Sequence, residues 1–397
     1  MENNVKLRFI VTSDIHYEVD SDLQKDRFEK GMRLAYSYAA KCNYDKIDAF
    51  FAVGDFVNSG SEEEMLKFKA SLDAVIKKET KIVLMMASHE FKSVGGENGA
   101  LERFSRIFNQ MPDNSFEIKN IPFITISTED GCSIKDSKQK WLKDNLIAYA
   151  SADRKRPFFV FQHPHLFDTV YGSINWGDDD IISILTDFPQ VIDFSGHSHA
   201  PINDPRSVHQ ACFTSFGTGS FSYFELDEFD YMYGTIPPDC DQCAQYYIVE
   251  VFDNNSVRVI PVDVLSENFF NDGIVIETPW EPDSFIFTKE RASREKAPYF
   301  TDDFTFDVRI MDDILRISFT QAHADFRPNC YTVSIRNSEG MVIRQKKVSS
   351  SYYLYNMPEN ITLDIDFAEK SGEYTLDIVA NGFWGAKSEK IVRKFTV

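Results

Sequence analysis

Six of the eight histidines in this 397-residue chain fall within its first 200 residues, each at or just after an apolar run. Five short motifs carry them and their acidic neighbours. In order these are Ser13-Asp14-Ile15-His16, Gly54-Asp55-Phe56-Val57-Asn58-Ser59-Gly60, Ala87-Ser88-His89-Glu90, Gln162-His163-Pro164-His165 and Ser195-Gly196-His197-Ser198-His199. Asp-x-His and His-x-His can each aim two donors at a small volume from one loop. Imidazole and carboxylate together suit Zn, Fe, Mn or Ni rather than Ca or Mg. A carboxylate shared by two ions, with histidines on either side, makes a two-metal site. There a bridging hydroxide can attack phosphorus in line, while the ions offset charge on the phosphoryl oxygens. Taken singly, Asp-x-His reads as a turn aspartate beside a surface histidine, and Gly-Asp as a turn. All five motifs in this order, each behind an apolar run, are hard to reach by structural accident.

Such donors converge only if the elements beneath them share an edge. Short apolar runs predict strands at Leu7–Val11, Ile47–Val53, Ile82–Met86, Phe116–Ile118, Phe123–Ser127, Phe158–Phe161 and Val191–Phe194. Between them, helical periodicity predicts a helix from a Ser21 cap to about Lys41 and another from a Ser61 cap. Further helices are predicted at Ala100–Phe108, at Trp141–Tyr149 and, for two turns, after Asp178–Asp180. Repeated β–α units imply a mostly parallel sheet with helices on both faces, and ligands of such sheets collect at the C-terminal strand edge. Tyr246–Phe252 and Val257–Val264 flank a hairpin turn. Residues 266–300 read as crossover and linker. From residue 301 to 397 only strand signals remain, seven in all, predicting a β-sandwich of immunoglobulin or fibronectin type.

The order of the motifs resembles the calcineurin-like metallophosphoesterase superfamily. The resemblance covers residues 5–265 and implies an α/β fold, a β-sheet sandwich flanked by helices, for a catalytic domain over 1–265. It implies Asp14, His16, Asp55 and His199 as ligands of a first metal, with Asp55 bridging. It implies His163 and His197 as ligands of a second. His89 matches the family's motif histidine, which contacts substrate phosphate and protonates the leaving group. One departure stands out. The family's third motif reads Gly-Asn-His-Asp/Glu, with the Asn carbonyl on the second metal, whereas here Ser88 takes the Asn place. A serine hydroxyl is shorter and a poorer neutral ligand.

The expected function is therefore a metal-dependent phosphoesterase with two divalent ions (Mn, Fe, Zn or Ni), acting on a small, nucleotide-like phosphodiester or phosphomonoester. A metal-bound hydroxide attacks, and His89 assists the leaving group. The rival expectation is a weak or inactive metal-binding or sensing protein on the same fold, because of Ser88. Asn58 and His165 are candidate substrate contacts, with a turn role and a supporting role as their alternatives. Tyr171 and Trp176, in a loop 168–177 expected over the cleft, either stack on a ring or simply cover the site. Gly217–Ser220 reads as a flexible turn. Cys240-x-x-Cys243 lacks a second pair and reads as free thiols or a local disulfide. His209 and His323 read as structural or surface residues, and the acidic run 225–230 as a solvated loop.

Composition narrows the partners. Sixty-two acids against 42 bases give a net charge of −20, which disfavours extended nucleic acid and anionic membranes. Thirty-five Phe and 17 Tyr supply core for two domains and exclude disorder as the main state. No apolar run approaches the roughly 20 residues of a membrane helix. The N-terminus lacks a signal-peptide pattern, and six scattered cysteines suit a reducing compartment, so a cytoplasmic location is expected. The C-terminal domain carries no catalytic cluster. It reads as a stabilising lid, with a substrate, partner or homodimer module as the alternative.

Overall fold

The apolar runs of the first half form strands that bury both faces, and this decides the architecture. A computed structural model describes residues 4–128, 133–226, 236–237, 239–368 and 371–397. The chain divides into two compact units, 1–289 and 290–397. The first contains β1 (Val5–Thr12), α1 (Leu23–Ala39), β2 (Ala49–Ala52), α2 (Glu62–Val75), β3 (Lys81–Leu84), α3 (Gly96–Phe108), β4 (Asn114–Ile118) and β5 (Ile121–Thr125). It continues with α4 (Asp136–Ala152), β6 (Phe158–Phe161), β7 (His165–Leu166), α5 (Ser173–Trp176), β8 (Gly177–Asp178), α6 (Ile182–Leu185) and β9 (Val191–Ser195). It closes with β10 (Val208–Gln210), β11 (Thr214–Gly217), β12 (Gln245–Phe252), β13 (Val257–Asp263), β14 (Asn268–Phe269) and β15 (Ile274–Ile276).

These strands form two mixed sheets rather than one mostly parallel sheet. The first runs β14-β13-β12-β1-β2-β3, with β15 also on β13, and the second runs β10-β11-β9-β6-β5-β4. The β1–β2–β3 and β5–β6–β9–β11 pairings are parallel, while β12, β13, β4 and β10 pair antiparallel. An apolar face reads the same in sequence whether a helix or a second sheet covers it. Here one face of each sheet meets the other sheet. Leu7, Phe9 and Val11 of β1 join Phe51, Phe123, Phe159, Phe161, Phe194 and Phe216 in this shared core. Phe51 stacks on Phe161 at 4.2 Å, and Phe161 on Phe194 at 5.7 Å. Ile10, Phe50 and Ala52 face outward, where Phe28 and Met32 of α1, Phe68 of α2 and Phe104 of α3 cover them. Leu142 and Leu146 of α4 cover the second sheet's outer face. The result is a β-sheet sandwich flanked by helices.

Local signals explain several boundaries. Ser61 caps α2 in a full capping box, its Oγ accepting from the Glu64 N–H while the Glu64 carboxylate accepts from the Ser61 N–H. Ser21 does not cap α1. Asp22 holds that position without a side-chain cap. The two-turn helix expected after Asp178–Asp180 shrinks to the single turn α6. Part of the stretch expected as a linker is sheet, because β14 and β15 pair with β13. These strands are only two and three residues long, too short for a period-2 pattern to register. A buried ion pair that no local pattern announces fixes the β1–β12 register. Arg8 Nε lies 2.8 Å from Glu250 Oε1, and Arg258 binds the other carboxylate oxygen. Removing one partner of such a pair strands the other charge.

The second unit is all-β: β16 (Phe306–Met311), β17 (Ile314–Thr320), β18 (Cys330–Arg336), β19 (Val342–Ser349), β20 (Asn360–Asp366), β21 (Glu373–Asn381) and β22 (Ile391–Thr396). They make two antiparallel sheets, β16-β17-β20 and β19-β18-β21-β22. Strict alternation of buried and exposed residues along β20 shows one face on a core that holds Phe319, Tyr331 and Leu376. Among the described residues no helix is long and apolar enough to cross a membrane.

The shared aromatic core generates a stability prediction. Phe51→Ala removes the ring stacked between the sheets. It should cost about 3–5 kcal/mol, the usual range for a buried Phe truncation. Urea unfolding followed by tryptophan fluorescence would show the drop in midpoint, and an unchanged midpoint would contradict the interface described here.

Candidate metal centre

Five parallel strands end at one place. Asp14 and His16 follow β1, Asp55 follows β2, Ser88 and His89 follow β3, His163 follows β6, and His197 and His199 follow β9. The first three strands belong to one sheet and the last two to the other, so the site sits where the C-terminal edges of both sheets meet. Asp14, His16, Asp55, His197 and His199 all have φ between 49° and 75°. Non-glycine residues in this left-handed region cost of order 1–3 kcal/mol each and persist only where their surroundings over-determine them.

Those surroundings are visible. The Gly54 carbonyl accepts from the Asp14 N–H, the Asp55 carbonyl from the His16 N–H, and the His163 carbonyl from the Gly196 N–H. The buried Glu90 carboxyl takes the N–H groups of Ala87, Asp55 and Val57 at 2.7, 3.0 and 3.2 Å, locking the turn under Asp55. Burial pushes this carboxyl up to about 8. A Cβ on Gly54 would come within 2.5 Å of Ala87 Cβ, and one on Gly196 within 2.5 Å of Asp14 Oδ2. Only glycine allows these loops to approach so closely.

At this edge three sets of donor atoms each fall within 4.8 Å of one another: Asp14, His16 and His199; Asp55, His163 and His197; and His16, Asp55 and His89. The first two sets follow the two groups that the resemblance implied. His163 Nε2 lies 3.1 Å from Asp55 Oδ2 and 3.8 Å from Asp14 Oδ1, and His199 Nε2 lies 3.2 Å from Asp14 Oδ1. Main-chain carbonyls hold the far nitrogens. His163 Nδ1 is 2.7 Å from the Val53 carbonyl, and His199 Nδ1 is 3.1 Å from that of Tyr223. Each ring thus donates at Nδ1 and presents Nε2 to the cluster, the usual arrangement behind a metal-binding histidine.

The electrostatics call for a cation. Burial opposes ionisation of Asp14 and Asp55, yet His199 and His163 hold the first low, and His163 and His16 the second. Burial likewise opposes a proton on His163, yet Asp55 and Asp14 raise it to about 10. Asp14 Oδ1 and His163 Nε2 are buried and meet His199 Nε2 and Asp55 Oδ2 only as ion-pair contacts, without the geometry of a hydrogen bond. A buried acceptor without a hydrogen bond is costly. A divalent ion among these nitrogen and oxygen donors would satisfy both atoms, so the residues fit a divalent metal.

The remaining residues take distinct places. Ser88 Oγ lies 3.1 Å from Asp55 Oδ2, so its hydroxyl donates to that carboxylate. The His89 N–H donates to Asp55 Oδ1 at 2.8 Å, and its Nδ1 donates to the Asn58 carbonyl at 2.6 Å, which leaves Nε2 facing the cleft. Asn58 acts through that carbonyl. Its side-chain amide donates to Glu18 at 3.3 Å. Trp176 stands edge-on to His197, ring centroids 5.1 Å apart, and so borders the cleft.

Two residues expected as candidate substrate contacts are buried against other groups. The Tyr171 ring is buried with the Arg206 guanidinium 3.7 Å above it, so that face is already covered. His165 is 1% exposed, with Nδ1 2.9 Å from Ser195 Oγ and Nε2 2.6 Å from Ser198 Oγ. It braces the loop that carries His197 and His199. Burial holds it neutral, down to about 3. Gly217–Ser220 is buried rather than flexible. Its Thr218 hydroxyl lies 2.6 Å from Ser13 Oγ, behind Asp14. Cys240 and Cys243 are free thiols, and of the acidic run only 225 and 226 lie within the described residues. His209 is buried on β10, and His323 stacks on Tyr299 in the second unit. Sequence reasoning missed Tyr223, whose ring lies 4.2 Å from His199, and Lys92 beside His89. Tyr223 belongs to no motif. Lys92 was findable, since a residue three positions past His89 lies on the same side of one helical turn.

Residues 7–201, which include every motif residue from Asp14 to His199, match the family model described as calcineurin-like phosphoesterase. The chain carries a domain of that family. No curated protein sequence matches the chain. Among solved structures it is similar to a purple acid phosphatase, PPD1, from yellow lupin (Lupinus luteus) seeds. That match has 13% identity, a TM-score of 0.49 and coverage of 69% of this chain and 54% of that one. The chain thus spans about half the length of the phosphatase. Parts of it are also similar to the PKD1 domain of a Vibrio cholerae metalloprotease, PrtV (13% identity, TM-score 0.18, 26% of this chain and 98% of that one). A fibronectin type III domain of human collagen XX matches at 16% identity and TM-score 0.19, covering 25% of this chain and 94% of that one.

If His165 braces the ligand loop, His165→Ala should weaken metal retention by about 10–100-fold, the usual cost of removing such a support. Elemental analysis of the purified protein after dialysis against graded chelator reads this directly. Wild-type retention would mean that the two serines hold the loop unaided.

Proposed function

We propose that the protein is a metal-dependent phosphoesterase that hydrolyses a small, nucleotide-like phosphomonoester or phosphodiester, with a pair of divalent ions (Mn, Fe, Zn or Ni). One observation carries the reading: two sets of buried donors, with Asp14 Oδ1 and His163 Nε2 lacking hydrogen-bond partners, in a calcineurin-like phosphoesterase domain. Asp14, His16 and His199 would hold one ion, and Asp55, His163 and His197 the other, with Asp55 shared. Ions held there supply Lewis-acid charge that acidifies water and offsets charge on the phosphoryl oxygens.

The chain's own residues do the rest. His89 offers Nε2 to the cleft, its ring fixed by the Asn58 carbonyl, and a proton there can pass to the leaving-group oxygen. The His89 N–H and the Ser88 hydroxyl orient the Asp55 carboxylate from outside the cluster. Glu90 fixes the loops that carry Asp55 and His89, so the donors need little reorganisation. The charge of −20 favours a small substrate over a long polyanion.

Ser88 favours a second reading, a binding or sensing protein with one weakly held ion. Its hydroxyl is engaged with Asp55 where an Asn carbonyl would reach further. Hydrolysis of p-nitrophenyl phosphate and bis(p-nitrophenyl) phosphate with Mn²⁺, Zn²⁺ or Ni²⁺, against a chelated control, separates the two. The phosphoesterase reading expects metal-dependent turnover that falls on the order of 100-fold or more in Asp55→Asn. Absence of turnover from folded, metal-loaded protein would favour the sensor. Ser88→Asn should then raise the metal-to-protein ratio toward two.

A further inference from the structure

A single turn of helix at His89–Phe91 brings Lys92 back over the catalytic imidazole, its own N–H bonded to the His89 carbonyl. Lys92 Nζ lies 2.6 Å from His89 Nε2 and 3.0 Å from Nδ1. The His89 Nδ1 proton is committed to the Asn58 carbonyl, so the ammonium stands against the ring on its Nε2 side. Lys92 is exposed, and among the described residues no carboxylate pairs with Nζ. Its nearest polar partner is the group expected to meet the leaving-group oxygen. The neighbouring carboxylates, Asp14 and Asp55, are occupied within the donor cluster.

We propose that Lys92 is a specificity-determining residue that binds a non-bridging phosphoryl oxygen of the substrate and selects doubly charged phosphomonoesters over singly charged phosphodiesters. This rests on the phosphoesterase reading and narrows its substrate class. The physical reason is charge. Near pH 8 a monoester carries two negative charges, since its second pKa is about 6, while a diester carries one. A lone ammonium at the mouth of the cleft gains more from the dianion. When the phosphate arrives it replaces the imidazole as the ammonium's partner and leaves His89 Nε2 free for the leaving group.

The test compares wild type, Lys92→Met and Lys92→Arg at pH 8 with Mn²⁺, on p-nitrophenyl phosphate and bis(p-nitrophenyl) phosphate. Inorganic phosphate binding to the Mn²⁺-loaded proteins is measured alongside by calorimetry. The expected result is a loss of about tenfold in kcat/KM for the monoester in Lys92→Met, a change of less than about threefold for the diester, and recovery in Lys92→Arg. Phosphate affinity should weaken in step. Equal losses on both esters, or no loss on either, would overturn the assignment. If wild type hydrolyses neither ester, the phosphoesterase reading fails by itself. Phosphate calorimetry then decides Lys92 alone: weaker binding in Lys92→Met supports it, and unchanged binding overturns it. The side chain is exposed, so a thermal melt of each variant suffices to show that the fold is intact.

Discussion

Two buried carboxylates, Asp14 and Asp55, stand among histidine rings where two sheets end, and the first unit is organised around keeping them charged. Burial alone would neutralise them. The imidazoles of His163 and His199 oppose that, and main-chain carbonyls fix both rings from behind. Two carboxylates in a dry site need positive charge between them, from protons or from metal ions. That requirement explains the buried atoms without hydrogen bonds, the raised affinity of His163 for a proton, and the left-handed backbone at five of the donors.

Strained loops of this kind need a stiff base. The aromatic layer between the sheets supplies it, with Phe51, Phe161 and Phe194 stacked in sequence beneath the loops that carry Asp55, His163 and His197. Close packing leaves such rings few alternative rotamers, so the strand ends are fixed in position. Glu90 and His165 then connect this base to the loops, one from each sheet. Both are buried polar groups with several partners, which is how a dry interior retains polar side chains.

The two ends of the cleft differ in chemistry. Around Asp14, His16 and His199 the donors are two rings and a carboxylate, with Tyr223 against His199. On the other side the Ser88 hydroxyl and the His89 N–H donate to Asp55, and the Lys92 ammonium stands against the His89 ring. The asymmetry follows from chain order, since residues 88–92 arrive together on one helical turn.

Much of this was legible in the sequence. The five motifs contain the clustered candidate donors, because a histidine or aspartate just past an apolar run falls at a strand end. The strand positions and the seven-strand C-terminal unit followed from apolar periodicity. Other features were not local. A strand that is apolar on both faces does not say whether a helix or a sheet covers it, so two facing mixed sheets emerged only with the fold. The extra strands β14 and β15, the Arg8–Glu250–Arg258 ladder and the contact of Tyr223 with His199 depend on pairings between distant segments. The roles of His165, Asn58 and Tyr171 likewise depend on where each polar atom finds its partner. Residue type and spacing determined which groups could do the chemistry. Tertiary packing decided which face the cleft and which brace it, because a side chain's direction is set by neighbours the sequence places far away.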